Sequence, residues 1–204
     1  MTAVRYWALV PAAGIGRRMG AAIPKQYLLL AGRPVIAHTL ETLLHHPGLA
    51  GVVVAIGAED EWWPEVAAGL GADKPLHVVT GGAERCHSVC RGLDALRGLA
   101  APDDWVLVHD AARPCLGVAD LERLMVTLAD DAVGGLLAVP VRDTLKQADS
   151  AGRIATTVDR TALWHALTPQ MFRLGLLHAA LRAALARGLL VTDEAAAMES
   201  AGFA

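Results

Sequence analysis

The chain is poor in cysteine, and it lacks long apolar runs and a surplus of positive charge. Its three cysteines cannot all pair with one another, so we expect reduced thiols. No apolar run approaches the ~20 residues of a membrane span, and the N-terminal sequence MTAVRYWALV lacks the apolar core of a signal peptide. A net charge of -3 and a pI near 6.2 leave no global basic field for nucleic acid. The sequence therefore predicts a cytoplasmic protein that binds neither membranes nor bulk nucleic acid.

Hydrophobic residues make up 54% of the 204 residues, which is enough to form the core of a single domain. Apolar runs typical of buried strands alternate with amphipathic helical stretches. The predicted strands are Trp7–Val10, Gly51–Ile56, His77–Val79, Trp105–Val108 and Gly135–Val139, and the predicted helices include Pro34–His46, Ala83–Leu99 and Val118–Leu128. This order predicts an α/β fold with a mostly parallel sheet and helices on both faces. Ligands should bind beyond the carboxyl ends of its strands.

A glycine-rich basic segment, LVPAAGIGRRMGAAIPKQY, runs from Leu9 to Tyr27 directly after the first predicted strand. Its glycines allow a tight turn in which backbone N–H groups approach anionic oxygens. Its cations are Arg17, Arg18 and Lys25. This combination is typical of a polyphosphate site, because prepositioned cations and amides stabilise the charge that develops on a phosphoryl group under attack.

Two other kinds of glycine-rich loop do not fit the surrounding residues. A dinucleotide fingerprint needs a helix at once and an acidic residue about twenty positions later, whereas Pro24 interrupts any helix and the stretch 26–51 contains only Glu41. A Walker loop needs Lys and then Ser or Thr after its last glycine, whereas Gly20 is followed by two alanines. An ordinary glycine-rich turn remains an alternative, but it does not explain the Pro-Lys-Gln run that follows.

Two further predicted strands end in polar loops. Asp110 and Arg113 follow the fourth strand; the carboxylate suits a Mg²⁺ ion that takes its other ligands from water and substrate phosphates, and an ion pair between the two residues is the alternative. Gly81 and Gly82 follow the third strand and precede a helix that carries Ser88. Backbone groups beside such small residues can read a flat base, although an ordinary turn fits equally well.

Other polar residues near these loops are given structural roles. We expect His109 to be a packed histidine and Arg85 to be a solvated surface charge. Thr192, Asp193 and Glu194 are expected to begin a helix, as a cap with first-turn acids. The roles of two neighbouring tryptophans, at positions 62 and 63, are not predicted.

Residues 141–166 interrupt the alternation of strands and helices. Charged residues surround short β-prone pieces such as Ile154–Val158. A polar β-rich insert of this kind is either a mobile surface loop or an arm that docks on a second subunit, and we favour the arm. Arg160 is its best candidate for binding a second anion, in the pocket of the neighbouring subunit.

Taken together, seven motifs closely resemble the 2-C-methyl-D-erythritol 4-phosphate cytidylyltransferase family of the non-mevalonate isoprenoid pathway. They are PAAGIGRRMG, PKQY, GGAERCHSV, VLVHDAARP, PVRDTLK, TVDRTALWHALTPQ and TDEAAAMESAG. The resemblance covers nearly the whole chain, and several motifs in order are more specific than one glycine loop. It implies a Rossmann-like nucleotidyltransferase fold, a homodimer joined by the arm 141–166, and Mg²⁺-dependent transfer of CMP from CTP to methylerythritol phosphate. The products would be 4-diphosphocytidyl-2-C-methyl-D-erythritol and pyrophosphate.

The resemblance also implies roles for individual residues of this sequence. The catalytic residues would be Arg18 and Lys25. The nucleotide would be bound by Ala12, Ala13, Gly14, Gly16, Gly82, Ala83 and Ser88, with the last three recognising cytosine. The substrate pocket would be formed by Arg113, Thr144, Thr168 and, from the partner subunit, Arg160. Asp110 would hold the Mg²⁺ ion.

The chain departs from the family pattern at two places. Ala83 stands where some members have an acidic residue. The chain ends at Ala204, whereas the family continues through a further strand and helix with an Asn-Ile-Lys-Val-Thr-like segment, so we expect one nucleotidyltransferase domain over 1–204 that lacks this segment. The alternatives are a cytidylyltransferase for another polyol phosphate, such as ribitol 5-phosphate, and a nucleotide-binding dimer without catalysis.

Overall fold

A twisted sheet with helices packed on it forms the centre of the computed structural model, which describes residues 3–14, 23–71 and 73–203. The strands are β1 (Tyr6–Pro11), β2 (Leu29–Leu30), β3 (Arg33–Pro34), β4 (Leu49–Ile56), β5 (Leu76–Thr80), β6 (Trp105–Val108), β7 (Gly134–Pro140), β8 (Leu145–Ala148), β9 (Ile154–Val158) and β10 (Trp164–Arg173). The helices are α1 (Val35–Leu44), α2 (Trp63–Gly69), α3 (Arg85–Leu96), α4 (Val118–Thr127), α5 (Leu174–Ala186) and α6 (Glu194–Ser200). None of these helices is long and apolar enough to cross a membrane.

The central sheet has six strands in the order β5-β4-β1-β6-β10-β7. The first four run parallel to one another, and β10 runs antiparallel to both of its neighbours. The five strands predicted from sequence correspond to β1, β4, β5, β6 and β7, so the prediction of a mostly parallel sheet is confirmed. Strand β10 was not predicted, because Pro169 breaks the sequence pattern that marks a regular strand. In the structure the pairing of β10 with β7 shifts register between Ala166 and Gln170.

Helices cover both faces of the sheet, as predicted. Successive side chains of a strand point to opposite faces, so Ala8 and Val10 of β1 pack in a cluster with α1, α2 and α4. Trp7 and Leu9 pack in the other cluster, with α3, α5 and α6. Each buried aliphatic side chain contributes about 1.5–3 kcal/mol. The two clusters therefore hold the strands as a rigid platform for the loops at their ends.

The segment 141–166 departs from this layered core. Strands β8 and β9 pair with each other in a separate two-stranded sheet, and most of their side chains are exposed. The first residues of β10 pair with the end of β7 beyond the core. Ile154 and Trp164 are 70% and 61% exposed, which is unusual for large apolar side chains in a folded protein.

Candidate active site at the carboxyl edge of the sheet

The loops that follow β1, β5 and β6 lie side by side at one edge of the sheet. The N–H of Ala12 donates to the Ala55 carbonyl over 2.7 Å, that of Gly81 donates to the Ile56 carbonyl over 2.7 Å, and that of His109 donates to the Leu9 carbonyl over 2.9 Å. Each bond continues the pairing of parallel strands past their ends. The structure thus brings together the three loops in which the sequence predicted nucleotide and metal contacts.

The loop after β5 is packed so tightly that its glycines cannot carry side chains. A Cβ at Gly81 would lie 2.4 Å from the Cβ of Ala13, and one at Gly82 would lie 2.4 Å from the Cβ of His87. The buried Ser88 hydroxyl accepts a hydrogen bond from the Gly82 N–H over 3.0 Å. Ser88 therefore shapes this loop, and Ala83 lies exposed beside it. Recognition of cytosine by these residues stays a prediction.

Lys25 begins a short 3-10 turn, Lys25–Tyr27, that lies against the loop after β1. Its side chain is exposed, whereas Pro24 and Gln26 on either side are buried. The Gln26 side chain bonds to the backbone at Ala12 and Gly14, which joins the turn to the predicted nucleotide loop. Gly16 and Arg18, which the sequence predicted to bind nucleotide and to catalyse, lie outside the described residues.

The other side of this turn is fixed to the start of α2. The Tyr27 hydroxyl donates to the Asp60 carboxylate over 2.7 Å, and the Tyr27 ring stacks on Trp62 with 5.6 Å between centroids. The second Asp60 oxygen accepts from the N–H groups of Trp62 and Trp63. Burial, together with Asp60, raises the pKa of Tyr27, so it stays a hydrogen-bond donor. Asp60 and Trp62 thus anchor the turn, and the Trp63 N–H helps to hold Asp60 in place.

Asp110 lies between two guanidinium groups. Arg85 Nε donates to Asp110 Oδ1 over 3.1 Å, and Arg113 Nε donates to Oδ2 over 3.0 Å, so the alternative ion pair with Arg113 is present. Each carboxylate oxygen keeps a second lone pair, and the side chain is 29% exposed. No group of three or more His, Cys, Asp or Glu in the described parts of the chain would hold a metal. The donor set fits a Mg²⁺ ion that is bound mainly by water and phosphates.

The expectation that Arg85 is a solvated surface charge was wrong. Its two terminal nitrogens donate to the two carboxylate oxygens of Glu194, over 2.7 and 3.0 Å. Burial acts to lower the pKa of Arg85, but the carboxylates of Glu194 and Asp110 outweigh it and raise the pKa, so the guanidinium is charged. Glu194 is 109 residues away, and no local pattern marks such a pair.

The residues after β10 complete this network. Helix α6 begins at the predicted residues 192–194, and Asp193 is its cap, with its carboxylate accepting from the Ala196 N–H over 2.9 Å. The buried Gln170 donates to Asp193 over 2.9 Å and accepts from the Ala195 N–H over 2.8 Å. Helix α6 is therefore fastened both to β10 and, through Glu194, to the side chain that holds Asp110. Sequence reasoning assigned only the capping role.

His109 is packed, as expected, and its hydrogen bonds determine its protonation. A carbonyl oxygen can only accept, so Nε2 donates to the Arg113 carbonyl over 2.9 Å. The Asp110 N–H donates to the Thr168 hydroxyl over 3.3 Å, and that hydroxyl lies 3.0 Å from His109 Nδ1 and donates to it. Burial lowers the pKa of His109. A neutral histidine thus joins Asp110 to Thr168.

The lowered pKa of His109 predicts that the chain loses stability in acid. In the unfolded chain His109 takes up a proton near the ordinary pKa of about 6.5, whereas in the folded chain it does so at lower pH. The free energy of unfolding that neutral His109 contributes is therefore complete above a pH of about 6.5. It is lost as the pH falls from that value to the lower pKa of the folded chain. We expect urea titrations at pH 7 and pH 5.5 to show a smaller loss for His109→Gln than for the unaltered chain. The exposed His45 is the control, and an equal change in His109→Gln and His45→Gln would contradict the assignment.

Two of the predicted substrate residues stand apart from these loops. Thr144 and Arg160 are exposed on the segment that carries β8 and β9. Within the described ranges, no hydrogen bond or ion pair joins either side chain to the loops after β1, β5 or β6. The other two predicted substrate residues, Arg113 and Thr168, both form hydrogen bonds with Asp110.

Comparisons with known proteins all find the same family, and each match covers nearly the whole chain. The model of the 2-C-methyl-D-erythritol 4-phosphate cytidylyltransferase family matches residues 6–204. Proteins of that name from Ectopseudomonas mendocina and Pseudomonas aeruginosa are 57% and 56% identical, over 97% and 98% of this chain and 84% and 85% of their own lengths. A crystal structure of 4-diphosphocytidyl-2C-methyl-D-erythritol synthase matches with a TM-score of 0.85 and 40% identity, covering 100% of this chain and 87% of the other. The cytidylyltransferase of Francisella tularensis matches with a TM-score of 0.82 and 34% identity, covering 98% and 87%.

Proposed function

This chain belongs to the 2-C-methyl-D-erythritol 4-phosphate cytidylyltransferase family, and we propose on that premise that it transfers CMP from CTP to 2-C-methyl-D-erythritol 4-phosphate. It is an enzyme of the nucleotidyltransferase class. The observation that carries the proposal is the 57% identity over 97% of the chain. The geometry supports it, because the loops after β1, β5 and β6 converge at one edge. The similarities favour this acceptor over ribitol 5-phosphate and favour catalysis over simple nucleotide binding.

The proposed reaction is an in-line displacement at the α-phosphorus of CTP. A phosphate oxygen of the acceptor forms the new bond to phosphorus, the bond to the β-phosphate oxygen breaks, and pyrophosphate leaves. The chain acts by positioning and by neutralising charge. Lys25 and Arg18 are proposed to stabilise the charge on the phosphates, together with backbone N–H groups of Ala13, Gly14 and Gly16. The Ala12 N–H donates to the Ala55 carbonyl, so Ala12 would contribute by shaping the loop. The loop 82–83, shaped by Ser88, would bind cytosine.

Mg²⁺ is the proposed cofactor, and Asp110 would hold it. The support is the partly exposed Asp110 carboxylate, whose oxygens each keep a lone pair, on a loop that lies beside the loop after β1. When bound, the ion would neutralise negative charge on the substrate phosphates. Arg85 and Arg113 hold the Asp110 carboxylate in one orientation. Arg113 and Thr168 lie beside it and are proposed to line the pocket of the acceptor.

We also propose a homodimer joined by the arm 141–166. The support is the exposure of Ile154 and Trp164, which a second copy would cover. In the described residues, moreover, no hydrogen bond or ion pair joins the exposed Arg160 side chain to the loops of its own subunit's site. In a two-fold dimer each arm would reach the other subunit. Arg160 would then bind methylerythritol phosphate at the partner's site, and Thr144 would line the substrate pocket.

A shared site makes a specific prediction for mixed dimers. When Lys25→Ala and Arg160→Ala subunits are mixed and allowed to exchange, each heterodimer has one site with both residues intact. About a quarter of all sites should then be active under random exchange, although each variant alone is inactive. Pyrophosphate release before and after mixing measures this. If Arg160 acted in its own subunit, no site of the heterodimer would be complete and mixing would restore nothing.

The proposed place of action is the cytoplasm. The three cysteines are free, with Cys86 and Cys90 buried and Cys115 exposed. Unpaired cysteines with one at the surface are typical of proteins that work in a reducing compartment.

Pyrophosphate release by the purified chain tests the proposed function. We expect release with CTP, Mg²⁺ and methylerythritol phosphate together, and much less when ATP replaces CTP or ribitol 5-phosphate replaces the acceptor. Equal rates with ribitol 5-phosphate would favour the alternative acceptor. CTP binding without release would favour a nucleotide-binding protein without catalysis.

A further inference from the structure

Gln26 joins the two ends of the glycine-rich segment. Its side-chain nitrogen donates to the carbonyl of Ala12 over 2.8 Å and to that of Gly14 over 3.0 Å. Both hydrogens of the amide are used, and the residue is 3% exposed. One buried side chain therefore fixes two carbonyl groups of the loop after β1 from a position 12 and 14 residues further along the chain.

These bonds determine which way the loop presents its N–H groups. A trans peptide is planar, with its carbonyl and the next N–H on opposite sides. Because the Ala12 carbonyl points to Gln26, the Ala13 N–H points away from it. An anionic ligand is bound by N–H groups and repelled by carbonyl oxygens. By binding the carbonyl oxygens of Ala12 and Gly14, Gln26 thus keeps them turned away from a phosphate that binds to the Ala13 N–H.

The same residue fixes the backbone next to Lys25. Gln26 follows Lys25 directly, Pro24 is buried before it, and Tyr27 is held by Asp60 over 2.7 Å. Lys25 is therefore the exposed member of a turn whose other residues are anchored. The backbone at Lys25 and the backbone of the loop keep a constant relation to each other because one amide side chain links them.

We propose that Gln26 is a positioning residue that orients the Ala13 N–H and the Lys25 side chain together toward the triphosphate of CTP. This inference rests on the proposed function and deepens it, since it states that Gln26 supports the binding of the nucleotide and has no part in the binding of the acceptor. Gln26 touches backbone and no reacting atom, so it acts through the loop and through Lys25.

The test compares Gln26→Leu with Gln170→Leu in the full chain. Each variant replaces a buried glutamine, which forms hydrogen bonds to two partners, by a leucine of similar size. Gln170, however, holds α6 and not the glycine-rich loop. For Gln26→Leu we expect the KM for CTP to rise about tenfold, as when one hydrogen bond of a binding site is lost, with the KM for methylerythritol phosphate unchanged. For Gln170→Leu we expect no selective rise in the KM for CTP. Calorimetric binding of CTP without acceptor should show the same difference.

A second variant guards against a folding defect in the first. In Gln26→Glu the side chain keeps its shape, and its ionised carboxylate repels the two carbonyls, whereas its protonated form supplies one O–H donor. CTP binding by this variant should improve relative to the unaltered chain when the pH is lowered from 8 to 6. The inference would be overturned if Gln26→Leu raised both KM values equally or raised neither. It would also be overturned if CTP binding by Gln26→Glu had the same pH dependence as CTP binding by the unaltered chain. Failure of the unaltered chain to release pyrophosphate would instead reject the proposed function, and the calorimetry would still test Gln26.

Discussion

Replacing Lys25 by alanine is expected to reduce turnover by about 10²–10³-fold, the loss found when one preorganised electrostatic group of an active site is removed. The side chain is exposed at the carboxyl edge of the sheet, beside the loop that Gln26 holds. An ammonium group there can neutralise charge that is larger in the transition state than in bound CTP, so the effect should appear in kcat more than in the KM for CTP. The exposed position predicts an unchanged melting temperature.

Steady-state pyrophosphate release and thermal unfolding of the same preparation measure both parts of this prediction. Arg123→Ala is the control, because Arg123 is a 72% exposed cation on α4 whose partner among the described residues is Asp120 at the surface. Its turnover should match that of the unaltered chain. Near-normal turnover of Lys25→Ala would remove Lys25 from the catalytic residues, and a lowered melting temperature would mean that the lysine stabilises the fold instead.

Replacing Glu194 by alanine should lower the free energy of unfolding by about 3 kcal/mol. The substitution removes two hydrogen bonds from Arg85 and leaves Asp110 as the remaining carboxylate that pairs with this cation. Breaking a buried ion pair from one side costs about 3–5 kcal/mol, and we take the lower end because the Arg85 side chain is 30% exposed. For a chain of this size the melting temperature should fall by about 6–12 °C.

Thermal unfolding of Glu194→Ala beside Arg123→Ala measures this difference. Arg123→Ala breaks an exposed pair and should leave the melting temperature nearly unchanged. Glu194→Gln keeps the shape and one oxygen acceptor, so its loss should lie between the two. If Glu194→Ala were no less stable than the surface control, the bidentate contact with Arg85 would not be a major source of stability.

The layered fold was predictable because hydrophobic periodicity is a local signal. The strand at Trp105–Val108 was predicted with the bounds that it has, and α4 begins at Val118 as predicted. The loops that carry Ala13, Gly82 and Asp110 could be placed at one edge because the carboxyl ends of parallel strands meet there.

The contacts that were missed join residues far apart in sequence. Glu194 is 109 positions from Arg85, and Tyr27 is 33 from Asp60. Gln26 gave no periodic signal, because a single buried amide in a short turn obeys no helical or strand pattern. Such residues can be found only after the backbone has been placed, since their partners are carbonyl and carboxylate groups that the chain brings together by folding.

The course of β10 has a consequence for how substrate choice is divided along the chain. This strand of ten residues spans about 33 Å, from Trp164 among the exposed arm residues to the core, and it passes Asp110 at Thr168. The proposed nucleotide contacts lie on segments before β10, whereas the proposed acceptor contacts lie mainly on β10 and the arm. The two specificities are therefore separate modules, and exchanging residues 141–166 between related enzymes is a way to change the acceptor while keeping the preference for CTP.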